Sequence, residues 1–254
     1  MAKQRVDVLL VERGFAPSRE RARALVMAGK VFVGEQRVEK AGDRLALDAA
    51  LQLRGEDQPY VSRGGVKLAG ALDALGVDPR GLVVADFGAS TGGFTDCVLQ
   101  RGATRVYAID VGRGQLHEKL RKDARVIVME RTNARELGAA SLPERADLVV
   151  IDASFIGLAK LLPAAIAILA AAGEILAMVK PQFEVGPKGV KKGVVRDPVL
   201  RAAAIAEVEA QARALGLEVR GRADSVLAGP EGNLEAFLRL VPIRLRAIPP
   251  RQEG

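Results

Sequence analysis

Four charged residues occupy positions where a charge does chemistry. Asp152 follows the apolar run LVVI, and Lys180 follows LAMV and precedes a proline. A charge placed directly after a buried strand is pinned at the rim of a sheet, where α/β proteins bind ligands. Lys67 lies in SRGGVKLAGAL at the start of a helical pattern, and Glu235 lies in AGPEGNLEAFLRL as a last strand begins. Taken singly, Asp152, Lys180 and Glu235 also fit ordinary strand ends, and Lys67 fits an exposed helix face. Ammoniums and carboxylates are groups that acid–base chemistry can use. A free lysine titrates near 10.4. Burial or a second ammonium nearby lowers that value and yields some neutral amine as base.

The stretch VADFGASTGGF (84–94) indicates what else the site holds. An apolar strand ends in a Gly-, Ser- and Thr-rich turn, and a helix opens at Phe94. Glycines let the backbone pass close to a ligand, and the free N–H groups of a helix start face the same space. Asp110 closes the next apolar run, 22 residues after Gly88, near where an acid accepts hydrogen bonds from ribose hydroxyls. The loop alone fits a dinucleotide, S-adenosylmethionine, or a turn that binds nothing. A dinucleotide would favour a second glycine at position 90, where this chain has Ser90.

The elements that must position these residues form two modules. From Tyr60 onward, strand candidates (82–87, 105–109, 125–129, 148–152, 174–179) alternate with helix candidates (66–75, 94–101, 156–172, 199–215). That alternation predicts an α/β fold with a mainly parallel sheet covered on both faces. Residues 1–53 have a different texture. Two short helices, one with the face Val6, Leu9 and Leu10, the other capped by Ser18 and spanning 19–28, lead into a hairpin turning at Gly34-Glu35. Arg13, Arg19, Arg21, Arg23 and Lys30 stand against only Glu20 between residues 13 and 30. That basic run reads as a polyanion-binding face or as a solvated one. The segment RGEDQP (54–59) reads as a linker, with 60–245 the second domain and 246–254 a tail.

Bulk properties narrow the classes. The chain has 254 residues, a formal charge of +7, one cysteine and one histidine. A single Cys97 forms no intrachain disulfide, which fits a reducing, cytoplasmic setting, and with His117 alone no Cys/His zinc cluster forms. The run Val8–Leu10 is too short for a signal-peptide core. The longest uncharged apolar run, 161–173, contains Pro163 and falls short of the roughly 18 residues that suggest a membrane span. Both Cys97 and His117 read as structural, His117 at a helix start.

The first module, RVDVLLVERGFAPSRERARALVMAGKVFVGEQRVEKAGDRL, resembles the S4 RNA-binding fold. The resemblance implies that its Arg-rich helix face meets structured RNA, chiefly at phosphates. The second resembles the FtsJ-like 2′-O-ribose methyltransferases, and the pairing with an S4 module narrows the likeness to the TlyA family, whose members are ribosomal RNA cytidine 2′-O-methyltransferases also called hemolysins. The matching blocks are VSRGGVKL (61–68), DFGASTGGFTDCVL (86–99), DVGRGQL (110–116), ERTNAR (130–135), IDASFI (151–156), VKPQFEVG (179–186) and GPEGNLEAF (229–237).

The resemblance implies a Rossmann-like, S-adenosylmethionine-dependent methyltransferase with a small α+β S4 domain before it. It implies a catalytic tetrad of Lys67, Asp152, Lys180 and Glu235. Lys180 would be the base or the stabiliser of the alkoxide, oriented by Asp152. Lys67 would add positive potential, and Glu235 would hold Lys67 or the ribose. S-adenosylmethionine would contact Gly88, Ser90, Gly92, Gly93 and Phe94, with Asp110 on the ribose, Val111 and Asn133 near the adenine, and Asp86 as the acid at the strand end. RNA would meet Arg13, Arg19, Arg21, Arg23 and Lys30. A second RNA contact is expected from the loop GPKGVKKGVVRD through Lys188, Lys191, Lys192 and Arg196, read as a phosphate-gripping lid. No metal is expected, because the donor methyl is already activated by its sulfonium. The partners implied are ribosomal RNA and ribosomal subunits, and no membrane. A membrane-active hemolysin, an NAD enzyme and a non-catalytic ribosome-associated RNA-binding factor are the rival readings.

Overall fold

A computed structural model describes residues 3–27, 29–54, 59–185, 190, 193–229 and 231–243. The chain divides into two compact units, Met1–Asp57 and Gln58–Gly254.

The first unit runs β1 (Lys3–Arg5), α1 (Val6–Glu12), α2 (Arg19–Met27), β2 (Val31–Val33), β3 (Gln36–Arg37), β4 (Arg44–Ala46) and β5 (Leu51–Leu53). Val6, Leu9 and Leu10 of α1 pack with Ala22, Leu25 and Val26 of α2 over Val31 and Leu51. This is the one-sided apolar stripe that short amphipathic helices must cover. Ser18 accepts the Arg21 N–H through Oγ at 3.2 Å and so caps α2. Gly34 adopts φ +56° in the two-residue turn that sets Val33 opposite Gln36.

The second unit runs α3 (Arg63–Leu75), β6 (Val83–Phe87), α4 (Gly93–Gln100), β7 (Arg105–Asp110), α5 (Glu118–Arg121), β8 (Val126–Glu130), β9 (Ala146–Ile151), α6 (Leu162–Ile168), β10 (Leu169–Val179), α7 (Pro181–Glu184), α8 (Pro198–Ala214), β11 (Leu217–Asp224) and β12 (Ala236–Pro242). The sheet order is β11-β12-β10-β9-β6-β7-β8. β6 pairs in parallel with both β7 and β9, and β12 runs antiparallel to β10 and β11. Both faces are covered. Ala85, Phe87, Tyr107 and Ile109 join the core that includes Leu162 and Ile168 of α6 and Ile205 and Val208 of α8. Val84, Val106 and Val150 meet Leu68 and Leu72 of α3 and Phe94 and Val98 of α4 on the other face. Burial on two sides is why the strands read as continuous apolar runs rather than alternating ones.

Two elements depart from the sequence expectation. The helix expected over 156–172 is a 3₁₀ turn at Leu158–Lys160 followed by α6, which stops at Ile168. Leu169 already pairs with Ala146 of β9, and the ladder resumes at Glu174 opposite Leu148 after an irregularity. Gly173 lies close against β9: a Cβ there would sit 2.9 Å from the Asp147 carbonyl oxygen. Strand β11 was absent from the expected set. Its exposed Glu218, Arg220, Arg222 and Asp224 alternate with more buried positions, as suits a charged edge strand that resists pairing with another chain.

Leu162 is fully buried in α6 and does not line the cavity beside the glycine loop. Leu162→Ala should destabilise the protein by about 2–5 kcal/mol, read as a lower urea midpoint at unchanged m-value.

Candidate active site

The site begins where β6 ends. Gly88 has φ +87°, and a Cβ on it would lie 2.6 Å from the Asp152 carbonyl oxygen. The glycine loop therefore lies flush against the end of β9. The Asp152 N–H donates to the Phe87 carbonyl at 3.0 Å, and the Gly88 and Ala89 N–H groups both donate to the Ile109 carbonyl. Asp110 then clamps the loop from β7: its carboxylate accepts the Ser90 N–H at 2.8 Å and the Gly112 N–H at 2.6 Å. Gly93 starts α4 so close to α3 that a Cβ would overlap Ser62 Oγ and lie 2.9 Å from the Gly65 nitrogen. The N-termini of α3 and α4 thus abut beside the loop.

These elements enclose a cavity of about 830 Å³, within the range of small-molecule sites. Ser62, Gly64 and Lys67 line it from α3, and Gly88 to Thr91 with Gly93 and Phe94 from the loop and α4. Asp152 and Lys180 line it from the strand ends, and Asn233 and Glu235 from the turn before β12.

All four residues of the expected tetrad line this cavity, as two ion pairs. Lys67 Nζ pairs with a Glu235 carboxylate oxygen, both side chains being buried. Lys180 Nζ lies 2.5 Å from Asp152 Oδ1 and donates to Ser154 Oγ at 2.9 Å. Glu235 reaches Lys67 because β12 inserts antiparallel beside β10 and delivers the residue preceding its first strand position to the cavity. Charges this enclosed are kept apart from water and act on whatever enters with little screening.

The other expected contacts divide. Gly88, Ser90, Gly93 and Phe94 line the cavity, whereas Gly92, Asp110, Val111 and Asn133 are not among its lining residues. Gly92 (φ +97°) is the left-handed residue that lets α4 start. Asn133 caps the 3₁₀ turn 134–136, accepting the Arg135 N–H at 3.2 Å and donating to Glu136 at 2.7 Å. Val111 is exposed. Asp86 is fully buried beneath the loop rather than on the wall, with one oxygen accepting the Thr95 hydroxyl at 2.7 Å and the other without a partner. Burial pushes its carboxyl up to about 7, with the nearby Asp152 and Asp110 adding to the shift.

In the first unit, Arg13 donates to the Leu47 and Ala49 carbonyls, and Arg19 and Arg23 donate to Asp7. Arg21 and Lys30 are exposed and partly buried, respectively, on or just after α2. Arg196 is exposed, and Lys188, Lys191 and Lys192 lie outside the described residues. Cys97 is buried, and burial pushes its thiol up to about 12, which suits a packing residue. His117 Nδ1 accepts the Lys119 N–H at 3.1 Å and caps α5. No group of three or more His, Cys, Asp or Glu among the described residues is placed to hold a metal ion.

Sequence reasoning missed Ser154, Phe155 and Phe183, all on the cavity wall. Phe155 is 90% exposed at φ +64°, with its ring 5.3 Å from that of Phe183. A bulky residue at positive φ is held by its surroundings against its own preference. Its block IDASFI carried the only hint, an aromatic three residues beyond the strand-end acid.

A family model for FtsJ-like methyltransferases matches residues 60–240, and one for the S4 domain matches residues 4–50. The Mycobacterium tuberculosis 16S/23S rRNA (cytidine-2′-O)-methyltransferase TlyA is 46% identical over 94% of this chain and 90% of its own. The chain belongs to the TlyA family of FtsJ-like methyltransferases. Hemolysin A of Brachyspira hyodysenteriae is 34% identical to this TlyA-family chain over 93% of its length and 99% of the relative. A solved Streptococcus thermophilus chain with a provisional hemolysin label superposes on it with a TM-score of 0.73 at 41% identity, covering 94% of this chain and 88% of that one.

Asp86 gives the site a pH signature. Its folded-state carboxyl is raised from 3.8 to about 7, so the folded chain keeps a proton that the unfolded chain has released. Its contribution to stability is present below about pH 4 and is lost as pH rises through about 7. Asp86→Asn should therefore gain stability relative to the wild type between pH 5 and pH 8, measured as the difference in denaturation midpoints. A pH-independent difference would contradict the buried, neutral carboxyl.

Proposed function

We propose that this chain transfers methyl from S-adenosylmethionine to the 2′-oxygen of a cytidine in ribosomal RNA. The observation that carries the reading is that two lysine–carboxylate pairs line the same cavity as the glycine loop. The TlyA relative with that activity matches along nearly the whole chain.

The residues present fit the cofactor. The loop is flattened by Gly88, the α3 and α4 starts offer backbone N–H groups, and Phe94 gives an apolar wall. Asp110 uses two acceptor positions on backbone N–H groups, and a carboxylate has about four, which leaves capacity for ribose hydroxyls. Asp86 acts from beneath, holding Thr95 in the first turn of α4. When bound, S-adenosylmethionine supplies a methyl group on a positively charged sulfur that departs as a neutral thioether.

The chain's own residues handle the hydroxyl. Lys180, fixed by Asp152 and Ser154, takes the 2′-hydroxyl proton or neutralises the charge that develops on the oxygen as the new O–CH₃ bond forms. Lys67 adds positive potential and is held by Glu235. Phe155, beside Phe183 at the mouth, offers a ring face on which a base can stack. Such a substrate places the enzyme with ribosomes, in the cytoplasm. No helix among the described residues is long and apolar enough to cross a membrane.

The test is transfer of labelled methyl to separated, unmodified small and large ribosomal subunits, with the product mapped for 2′-O-methylation. Lys180→Ala and Asp152→Ala should each lower kcat by roughly a hundredfold or more while S-adenosylmethionine still binds. Full activity in both variants would remove the mechanism. Phe155→Ala should raise KM for RNA by roughly five- to a hundredfold, from a stacking contribution of about 1–3 kcal/mol. An unchanged KM would remove the stacking role.

A further inference from the structure

Asp7 is fully buried at the start of α1, yet four guanidinium N–H groups converge on its carboxylate. Arg5 donates through Nε at 2.9 Å and through a terminal nitrogen at 3.2 Å. Arg19 donates from α2 at 2.9 Å, and Arg23, one turn on, donates through Nε at 3.2 Å. A carboxylate has about four acceptor positions, so Asp7 is saturated. Arg5, followed by Arg19 and Arg23 against the effect of burial, holds the Asp7 carboxyl well below the usual carboxylate range. The arginine side chains remain 41%, 53% and 54% exposed. Three cations share one anion, so the cluster carries a surplus of two positive charges.

The other arginines of this unit are engaged differently. Arg13 gives its guanidinium to the Leu47 and Ala49 carbonyls. Arg37 and Arg54 pair with the exposed acids Glu39 and Glu35, which neutralise them one for one. Arg5, Arg19 and Arg23 are fixed by a shared buried acid. The remaining N–H groups of Arg19 and Arg23 make no further hydrogen bond among the described residues. A guanidinium presents donors in a planar fork that matches a phosphate. Ordering such a long side chain costs on binding, and here the order exists before RNA arrives.

We propose that Asp7 is a positioning residue that presents Arg5, Arg19 and Arg23 as one seat for the phosphates of folded RNA. The proposal rests on the reading of the chain as a ribosomal RNA enzyme and assigns its first grip to three of the unit's basic residues. Arg5 enters this set, although it lies outside the basic run that begins at Arg13, and Arg13 leaves it.

The test uses the full chain and unmodified ribosomal subunits, with affinity measured from about 50 to 200 mM salt, where each phosphate contact contributes close to one to the log–log slope. Arg19→Gln with Arg23→Gln should reduce that slope by about two, and Arg37→Gln should leave it unchanged. Asp7→Asn adds a positive charge, so charge alone predicts tighter binding, whereas the positioning role predicts binding weaker by roughly five- to tenfold. Its melting curve shows whether the first unit stays folded. Because that variant can unfold, Arg19→Lys with Arg23→Lys provides a second test. It keeps every charge and the pairing to Asp7 but loses the forks, and should raise KM for RNA while kcat holds. A wild-type slope in the glutamine double variant, or tighter binding by a folded Asp7→Asn protein, would overturn the seat with the RNA enzyme reading intact. A wild-type chain whose binding ignores salt would overturn RNA gripping by phosphate contacts and the seat with it.

Discussion

The backbone of Gly88 runs so near the carbonyl of Asp152 that no side chain fits between them, and the rest of the site follows from that closeness. β6 and β9 are parallel neighbours, and on the opposite side of β6 the chain returns through β7. Their shared end is thus a switch point in the strand order, where an open sheet leaves a crevice. Because the loop after β6 lies flat across β9, the glycine loop and the carboxylate proposed to act in catalysis belong to one rigid corner. Asp110 reinforces the corner from the third strand, through two backbone N–H groups. A looser loop would leave Asp152 and its lysine partner facing open water.

The same corner concentrates charge at an energetic cost. Buried ion pairs rarely repay the desolvation of both partners, and among the described residues Lys67 with Glu235 is an enclosed pair. An apolar pair of similar volume would satisfy packing equally well, so stability does not explain their presence. An ammonium kept beside the cavity and prevented from swinging away explains it better. Asp86 follows the same logic from below. Its unpartnered oxygen and raised carboxyl lie near Asp152 and Asp110, and below about pH 7 its proton spares the site a further negative charge.

Much of this was legible in the sequence, for physical reasons that differ by residue. Asp152 and Lys180 stood out because a charge ending a fully apolar run has to lie at a sheet rim. The glycine loop stood out because several small residues between a strand and a helix serve close approach. Lys67 and Glu235 were legible only through family resemblance. Their pairing spans 168 positions and depends on the antiparallel insertion of β12, which no local pattern reveals. The boundary between α6 and β10 was misplaced because an alanine tract favours helix, and tertiary pairing with β9 overrode that preference. Asp110 was assigned to ligand from spacing and Asn133 through family resemblance; in this structure Asp110 also holds the loop and Asn133 also caps a turn. Phe155 could not be found from spacing, since a positive φ is imposed by the fold.

The loops that follow β9 and β10 act as one platform. Glu184, at the end of α7, accepts the Leu158 N–H at 2.8 Å and ties the segment after Asp152 to the segment after Lys180. Burial raises the Glu184 carboxyl, against the pull of that N–H. The ring contact between Phe155 and Phe183 spans the same two segments. Asp152 and Lys180 pair at the base of these segments, and Ser154 reaches the Lys180 amine from within the first. A substrate base resting on Phe155 would therefore bear on the loop that also aims the amine. Binding energy at the ring could then be used to align the hydroxyl with the lysine, which is how contacts remote from the reacting atoms accelerate a transfer.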